Sequence, residues 1–88
     1  MIEHNEAGRQ ITWTENGQTC VLDYDLSGSL MTITRTWVPE QFRGRGIAAQ
    51  LTRFALDTAR TRGWKVHPVC SYADRFMQGH PEYQDLLA

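Results

Sequence analysis

Gln41-Phe42-Arg43-Gly44-Arg45-Gly46-Ile47-Ala48 decides how this 88-residue chain is read. Before it stands an extended segment rich in Thr, Trp and Val; after it, apolar residues recur at helical spacing. Two glycines one residue apart, between a strand and a helix, mark a tight turn with little side-chain bulk. The first N–H groups of a helix lack intrahelical partners and lie at its positive end, so such a turn can cradle phosphate oxygens. Arg43 and Arg45 can add charge beside it. The stretch therefore predicts a site for a phosphorylated cofactor; the plainer alternative is a tight turn and nothing more.

Working outward, Ile47, Ala48, Leu51, Phe54, Ala55 and Ala59 form one apolar helical stripe. Gly63 is the natural stop, with Arg60 and Arg62 in the last turn. Residues 64–70 read as another strand, giving a β-α-β unit with parallel strands. Ser71-Tyr72-Ala73-Asp74 has the pattern of a capping box and predicts a short helix through Met77, closed by Gly79. A terminal turn follows, packing Tyr83 and Leu86 onto the body.

Upstream, Asn16-Gly17 between two alternating runs is a strong hairpin signal. A two-residue turn there pairs Glu15 with Gln18, Trp13 with Cys20 and Ile11 with Leu22. That register gathers Ile11, Trp13, Cys20, Leu22 and Tyr24 on one face. A second turn at residues 26–29 leads into a strand over residues 30–38, ended by Pro39, in which Met31, Ile33 and Trp37 share a face interrupted by Arg35.

The length predicts one domain, residues 1–88. At 41% hydrophobic and 22% charged residues, the chain has an ordinary globular composition. Residues 1–40 hold two basic and six acidic groups, whereas residues 41–88 hold seven basic and four acidic ones. The basic excess begins at the glycine turn, which suits a local anion site. A pI near 6.3 argues against a nucleic-acid partner, including one reading Arg-Gly-Arg-Gly as a short RGG tract. No segment predicts a membrane span, the first residues have no secretory leader pattern, and two cysteines without scaffold spacing fit a reducing interior. The expected location is cytoplasmic.

A P-loop would need Gly-Lys-Ser/Thr where this chain has Gly46-Ile47-Ala48, and the hairpins are wrong for a dinucleotide-binding fold. What remains is Gln-x-x-Gly-x-Gly, Gln41 to Gly46, at a strand-to-helix junction. This resembles the pyrophosphate motif of the GNAT superfamily of acetyl-CoA-dependent N-acetyltransferases. Residues 34–39, Pro68-Val69-Cys70-Ser71-Tyr72 and His80-Pro81-Glu82-Tyr83 add to the likeness. Together they resemble a half-length branch of stand-alone domains, over the chain from about residue 20 onward.

The resemblance implies an α/β (α+β) fold. Its split mixed sheet has N-terminal antiparallel hairpins, then β-α-β and a short C-terminal helix, and it splays where the residue 31–38 strand meets the residue 64–70 strand. Acetyl-CoA or CoA would lie in that gap. Main-chain groups of Trp37 and Val38 would pair with its pantetheine arm, and the turn from Gln41 and Phe42 through Arg43, Gly44, Arg45, Gly46, Ile47 and Ala48 would hold the diphosphate. The implied activity is acetyl transfer to an amine of a peptide, a protein or a small molecule, at an open acceptor site. The alternative is a CoA-binding sensor or interaction module without turnover.

Cys70, before a short helix, stands where a thiol pKa can be lowered, and in the resembling branch a cysteine here points toward the thioester. Its acylation and direct attack by the amine are both open, as is a purely structural role. Tyr72 is the candidate acid. Many members of the branch carry His where this chain has Arg35, which cannot act as a base; His67 is a substitute, and Arg35 is expected to hold an anion or a carboxylate. Cys20 reads as core, His4 as surface and His80 as a cap of the last turn. His67 and Cys70 do not make a metal site, because no second pair has ligand spacing.

Overall fold

The computed structural model describes residues 2–88. Five strands form one sheet in chain order: β1 (Ile2–Asn5), β2 (Gln10–Glu15), β3 (Gln18–Ser27), β4 (Leu30–Trp37) and β5 (Lys65–Pro68). Strands β1 to β4 are antiparallel, and β5 runs parallel to β4 after the crossover through α1 (Ile47–Arg62). Helix α2 (Ser71–Gln78) and a 3-10 turn over Pro81–Leu86 complete the chain. Among the described residues no helix is long and apolar enough to cross a membrane.

The hairpin has the expected register, Glu15 opposite Gln18, Trp13 opposite Cys20 and Ile11 opposite Leu22. Asn16 and Gly17 take φ values of 53° and 76°, as a turn matching the right-handed strand twist requires. Ile11, Cys20, Leu22, Met31, Ile33 and Val66 are fully buried beneath α1, whose Leu51, Ala55, Leu56 and Ala59 are equally inaccessible. Ala73, Phe76 and Met77 of α2, with Tyr83 and Leu86, extend the same core. One face of the sheet is thus covered by helices, and the other carries Thr12, Thr19, Val21, Asp23, Arg35 and Trp37 toward solvent.

Three features depart from the sequence reading. First, residues 2–5 form an edge strand, and His4 is half-buried: its Nε2 lies 2.6 Å from the Tyr24 hydroxyl, and its ring meets Phe54 edge-on. Its helix-side register opposite Ile11 puts it there rather than on the surface.

Second, a β-bulge interrupts β4. Asp23 pairs with Arg35 but Tyr24 with Ile33, leaving Thr34 as the extra residue. An extra residue reverses the alternation beyond it. Trp37 therefore does not share a face with Met31 and Ile33; it lies opposite Val21 on the open face, and Thr36, opposite Leu22, turns toward the helices. Arg35 is carried outward too, with Nε 3.8 Å from Asp23, a carboxylate as expected.

Third, α2 has Cys70, not Ser71, at its N-cap position, and no side-chain cap hydrogen bond forms. β5 ends at Pro68, and the backbone turns immediately: the amides of Val69 and Cys70 both donate to the Ile33 carbonyl, at 3.0 and 2.9 Å. The helix starts one residue earlier than a Ser71 cap would allow.

Candidate functional site

The pairing of β4 with β5 runs from Leu30–Lys65 to Ile33–Pro68 and then stops. β4 continues to Trp37 while the chain beyond Pro68 turns off into α2, so the two strands part. Just past the opening of this gap, Cys70 Sγ lies 3.6 Å from the hydroxyl of Thr36. Burial pushes the Cys70 thiol up, but the amides of Ala73 and Tyr72 and the Thr36 hydroxyl and backbone outweigh it, leaving the pKa below the ordinary thiol value. Cys20 is the opposite case: it is wholly buried and its pKa is raised by desolvation.

Two adjoining cavities of about 210 Å³ each form a trough from this gap to the glycine turn. Both are lined by Val38, Arg43, Ala48 and Tyr72; Gly44 and Gly46 line one, and Thr36 and Trp37 the other. Tyr72 is about one-third exposed (37%), and its burial raises the phenol pKa, so it stays protonated at neutral pH. The trough walls hold no histidine and no carboxylate. His67 pairs with Thr32 on the opposite face from Val66, away from Cys70. His80 stands at the N-cap position of the Pro81–Leu86 turn but makes no side-chain cap hydrogen bond there; its ring stacks on Phe76, and its Nδ1 lies 2.6 Å from the Phe76 carbonyl at the end of α2.

At the turn, a short 3-10 segment (Glu40–Phe42) precedes the glycines and anchors Phe42 in the core. Gly44 and Gly46 take φ values of 82° and 78°, in the left-handed region. A Cβ built on either would meet no atom within 4 Å, so the space over the turn is open. The first backbone hydrogen bond of α1 runs from Gln50 to the Gly46 carbonyl at 3.1 Å, so the amides of residues 47–49 precede the helical ladder. The Arg43 amide is already given to the Glu40 carbonyl at 3.1 Å.

The arginines of the turn differ in their freedom. Arg45 makes a two-pronged ion pair with Glu15 of the hairpin, at 3.1 and 3.0 Å, and lies over the Phe42 ring. Hydrogen bonds from Arg45 and from the Trp13 indole hold the Glu15 carboxyl below its usual range. Arg43 donates only to the Val38 carbonyl, at 3.3 Å, and pairs with no carboxylate among the described residues. Gln41 hydrogen-bonds Gln18. The hairpin thus braces the glycine turn from outside.

Thr36 and Glu15 are the two participants that the sequence reading misses. Strict alternation along β4 turns Thr36 away from the gap, and only the bulge reverses it. Glu15 and Arg45 are thirty residues apart, with no local pattern linking them. No group of three or more His, Cys, Asp or Glu side chains suited to a metal ion occurs among the described residues.

The sequence pattern of a family described as GCN5-related N-acetyl-transferase matches residues 9–86. Protein NATD1 of Bos taurus is 35% identical over 83 residues, covering 91% of this chain and 74% of that protein. The Homo sapiens form has the same identity and coverage. The Danio rerio form is 34% identical over 91 residues, or 98% of this chain and 83% of its own. Among solved structures, the solution structure of a GCN5-like protein from Staphylococcus aureus superposes with a TM-score of 0.78 over 100% of this chain and 87% of that one. Its sequence identity of 22% speaks for the shared fold alone.

Proposed function

Because this chain belongs to the GCN5-related N-acetyltransferase family, we propose that it binds acetyl-CoA along the trough and transfers the acetyl group to an amine. One observation carries the reading: two adjoining cavities lead from bare backbone at the glycine turn to Thr36, whose hydroxyl lies beside Cys70 at the β4–β5 gap. The residues fit the coenzyme, because the space a side chain would fill over Gly44 and Gly46 is free for a diphosphate. The amides from Gly44 to Ala48 would hold it, and Arg43, without a carboxylate partner, would add charge. Main-chain groups of Trp37 and Val38 would pair with the pantetheine arm.

Acetyl-CoA supplies an acyl group activated as a thioester. Cys70, its pKa lowered below the ordinary thiol value, attacks the acyl carbon as the thiolate; a new C–S bond forms as the old one breaks, and Tyr72 gives its proton to the departing thiolate. The amine then attacks acetyl-Cys70, forming the C–N bond and releasing the Cys70 thiolate, while its proton returns to the Tyr72 phenolate. Direct attack by the amine on the thioester, with Tyr72 as the acid, is the other route. Both routes need an acceptor amine that arrives unprotonated, because no histidine or carboxylate lines the trough to take a proton from an ammonium.

That same lack supports the second reading, a CoA-binding sensor without turnover. Intact-protein mass spectrometry after mixing with acetyl-CoA separates the two. A single acetyl adduct, absent in Cys70→Ala and discharged by amines, is the expected result. Tight coenzyme binding with neither adduct nor turnover would leave the sensor. No coenzyme binding at all would overturn both.

A further inference from the structure

On the open face of the sheet, across β4 from the helices, lies a depression of about 350 Å³ lined by Gln18, Thr19, Trp37, Pro39, Glu40 and Gln41. Its volume is within the range of small-ligand sites. Trp37 also lines the trough, so it forms a wall common to both spaces. The lining holds an aromatic wall, a carboxylate and amide and hydroxyl oxygens, but no cationic side chain.

Four of the other aromatic rings are covered by guanidinium groups: Arg45 lies over Phe42, Arg53 over Phe76 and Tyr83, Arg60 over Tyr83 and Arg62 over Trp64, all between 5.2 and 5.8 Å. Trp37 is 46% exposed, yet no Arg or Lys among the described residues lies over it. Arg35, two residues away on the same face, is drawn to Asp23 instead. Glu40 likewise has no ion-pair partner among the described residues. An indole face attracts a cation through its quadrupole, and a carboxylate beside it adds Coulomb attraction while repelling anions.

We infer that the depression between Trp37 and Glu40 is a receptor for an organic cation, an alkylammonium or guanidinium group. As for whose cation it is, the inference rests on the acetyl-transfer reading: the acceptor carries a second positive charge, held here beside the amine that reacts. The bulge at Thr34 makes this arrangement. It puts Trp37 on the open face, where it lines both the depression and the trough.

The test is an NMR titration of the full chain, without coenzyme, using cadaverine as the probe. The Trp37 indole N–H and the Glu40 amide should shift saturably, with a Kd on the order of millimolar for so exposed a site. Trp37→Leu should weaken binding roughly tenfold, and Glu40→Gln, which leaves the fold and trough intact, severalfold. Pentanol, with no charge, should give no saturable shift. Equal shifts with pentanol, shifts confined to the Asp23 and Asp25 region, or an unchanged Kd in Glu40→Gln would overturn the receptor. A parallel CoA titration of the unaltered chain tests the transfer reading separately: its failure would remove the acceptor identity and leave the cadaverine result standing.

Discussion

Replacing Gly46 tests the diphosphate cradle, provided backbone strain is separated from blocked space. Gly46 has φ 78° and ψ 15°, where an L-residue is disfavoured by about 1–2 kcal/mol. With an unfolding entropy of about 2 cal/mol/K per residue, each 1 kcal/mol lowers the midpoint of an 88-residue chain by roughly 5 °C. Gly46→Ala should therefore lose about 5–10 °C. Its Cβ meets no protein atom within 4 Å, so the loss is conformational and not a clash. Gly63→Ala is the matched control: φ is 75°, the added Cβ also meets nothing, and the residue lies at the opposite end of α1. Gly46→Asn tolerates the left-handed region better and should stay nearer the parent midpoint while still filling the space over the turn.

For binding, one displaced charge-assisted hydrogen bond to phosphate is worth about 1.5–3 kcal/mol, or roughly 10- to 100-fold in affinity. Differential scanning fluorimetry with calorimetric CoA titration reads both quantities. Gly46→Ala and Gly63→Ala should lose similar stability, but only the Gly46 variants should lose affinity. A folded Gly46→Asn that binds CoA as tightly as the parent would refute the cradle.

Three further outcomes are expected. Cys70, with its lowered thiol pKa, should react with iodoacetamide at pH 7 faster than a free thiol, more slowly after Thr36→Val, and Cys20 should be inert while the chain is folded; equal rates at both cysteines would contradict the site chemistry. His4 has its pKa lowered chiefly by burial, then raised in part by Glu6 and lowered by Arg62. The unfolded chain therefore binds the extra proton first: the stabilising effect of neutral His4 is complete above pH 6.5 and is lost as pH falls through the folded value. Unfolding midpoints should drop on acidifying below about pH 6.5, and His4→Phe should flatten the slope above the carboxylate range. Glu15→Gln frees Arg45, so CoA should bind more tightly at low ionic strength with a steeper salt dependence; calorimetry at two salt concentrations that finds neither would show that the Glu15 pair does not bear on the site.

Much of the fold can be read from local signals that agree. Asn16-Gly17 sets the turn, the period-two apolar runs on either side set the faces, and together they specify each pair of the β2–β3 hairpin. The apolar stripe from Ile47 to Ala59 and the stop at Gly63 bound α1 in the same way. Strand β1 escaped because Ile2-Glu3-His4-Asn5 is four residues long and joins β2 without a sharp turn signal. The same omission left His4 looking like a surface residue. The capping-box pattern at Ser71 misplaced the start of α2 by one residue, because the early end of β5 is imposed by two amides converging on the Ile33 carbonyl.

The site divides along the same line. From the residues alone follow the bare turn at Gly44 and Gly46, the basic half of the chain around it, and the thiol at Cys70 ahead of a helix. These depend on neighbours a few positions apart, whose chemistry and backbone geometry the order of residues specifies directly. Only the tertiary structure decides that Thr36 meets Cys70, that Trp37 faces the opposite side of the sheet, and that Glu15 occupies Arg45 while Arg43 stays free. Each of those depends on one register slip at Thr34 or on contacts between residues 30 and 34 positions apart. A slip of one residue changes little in local sequence preference but exchanges the two faces of everything after it.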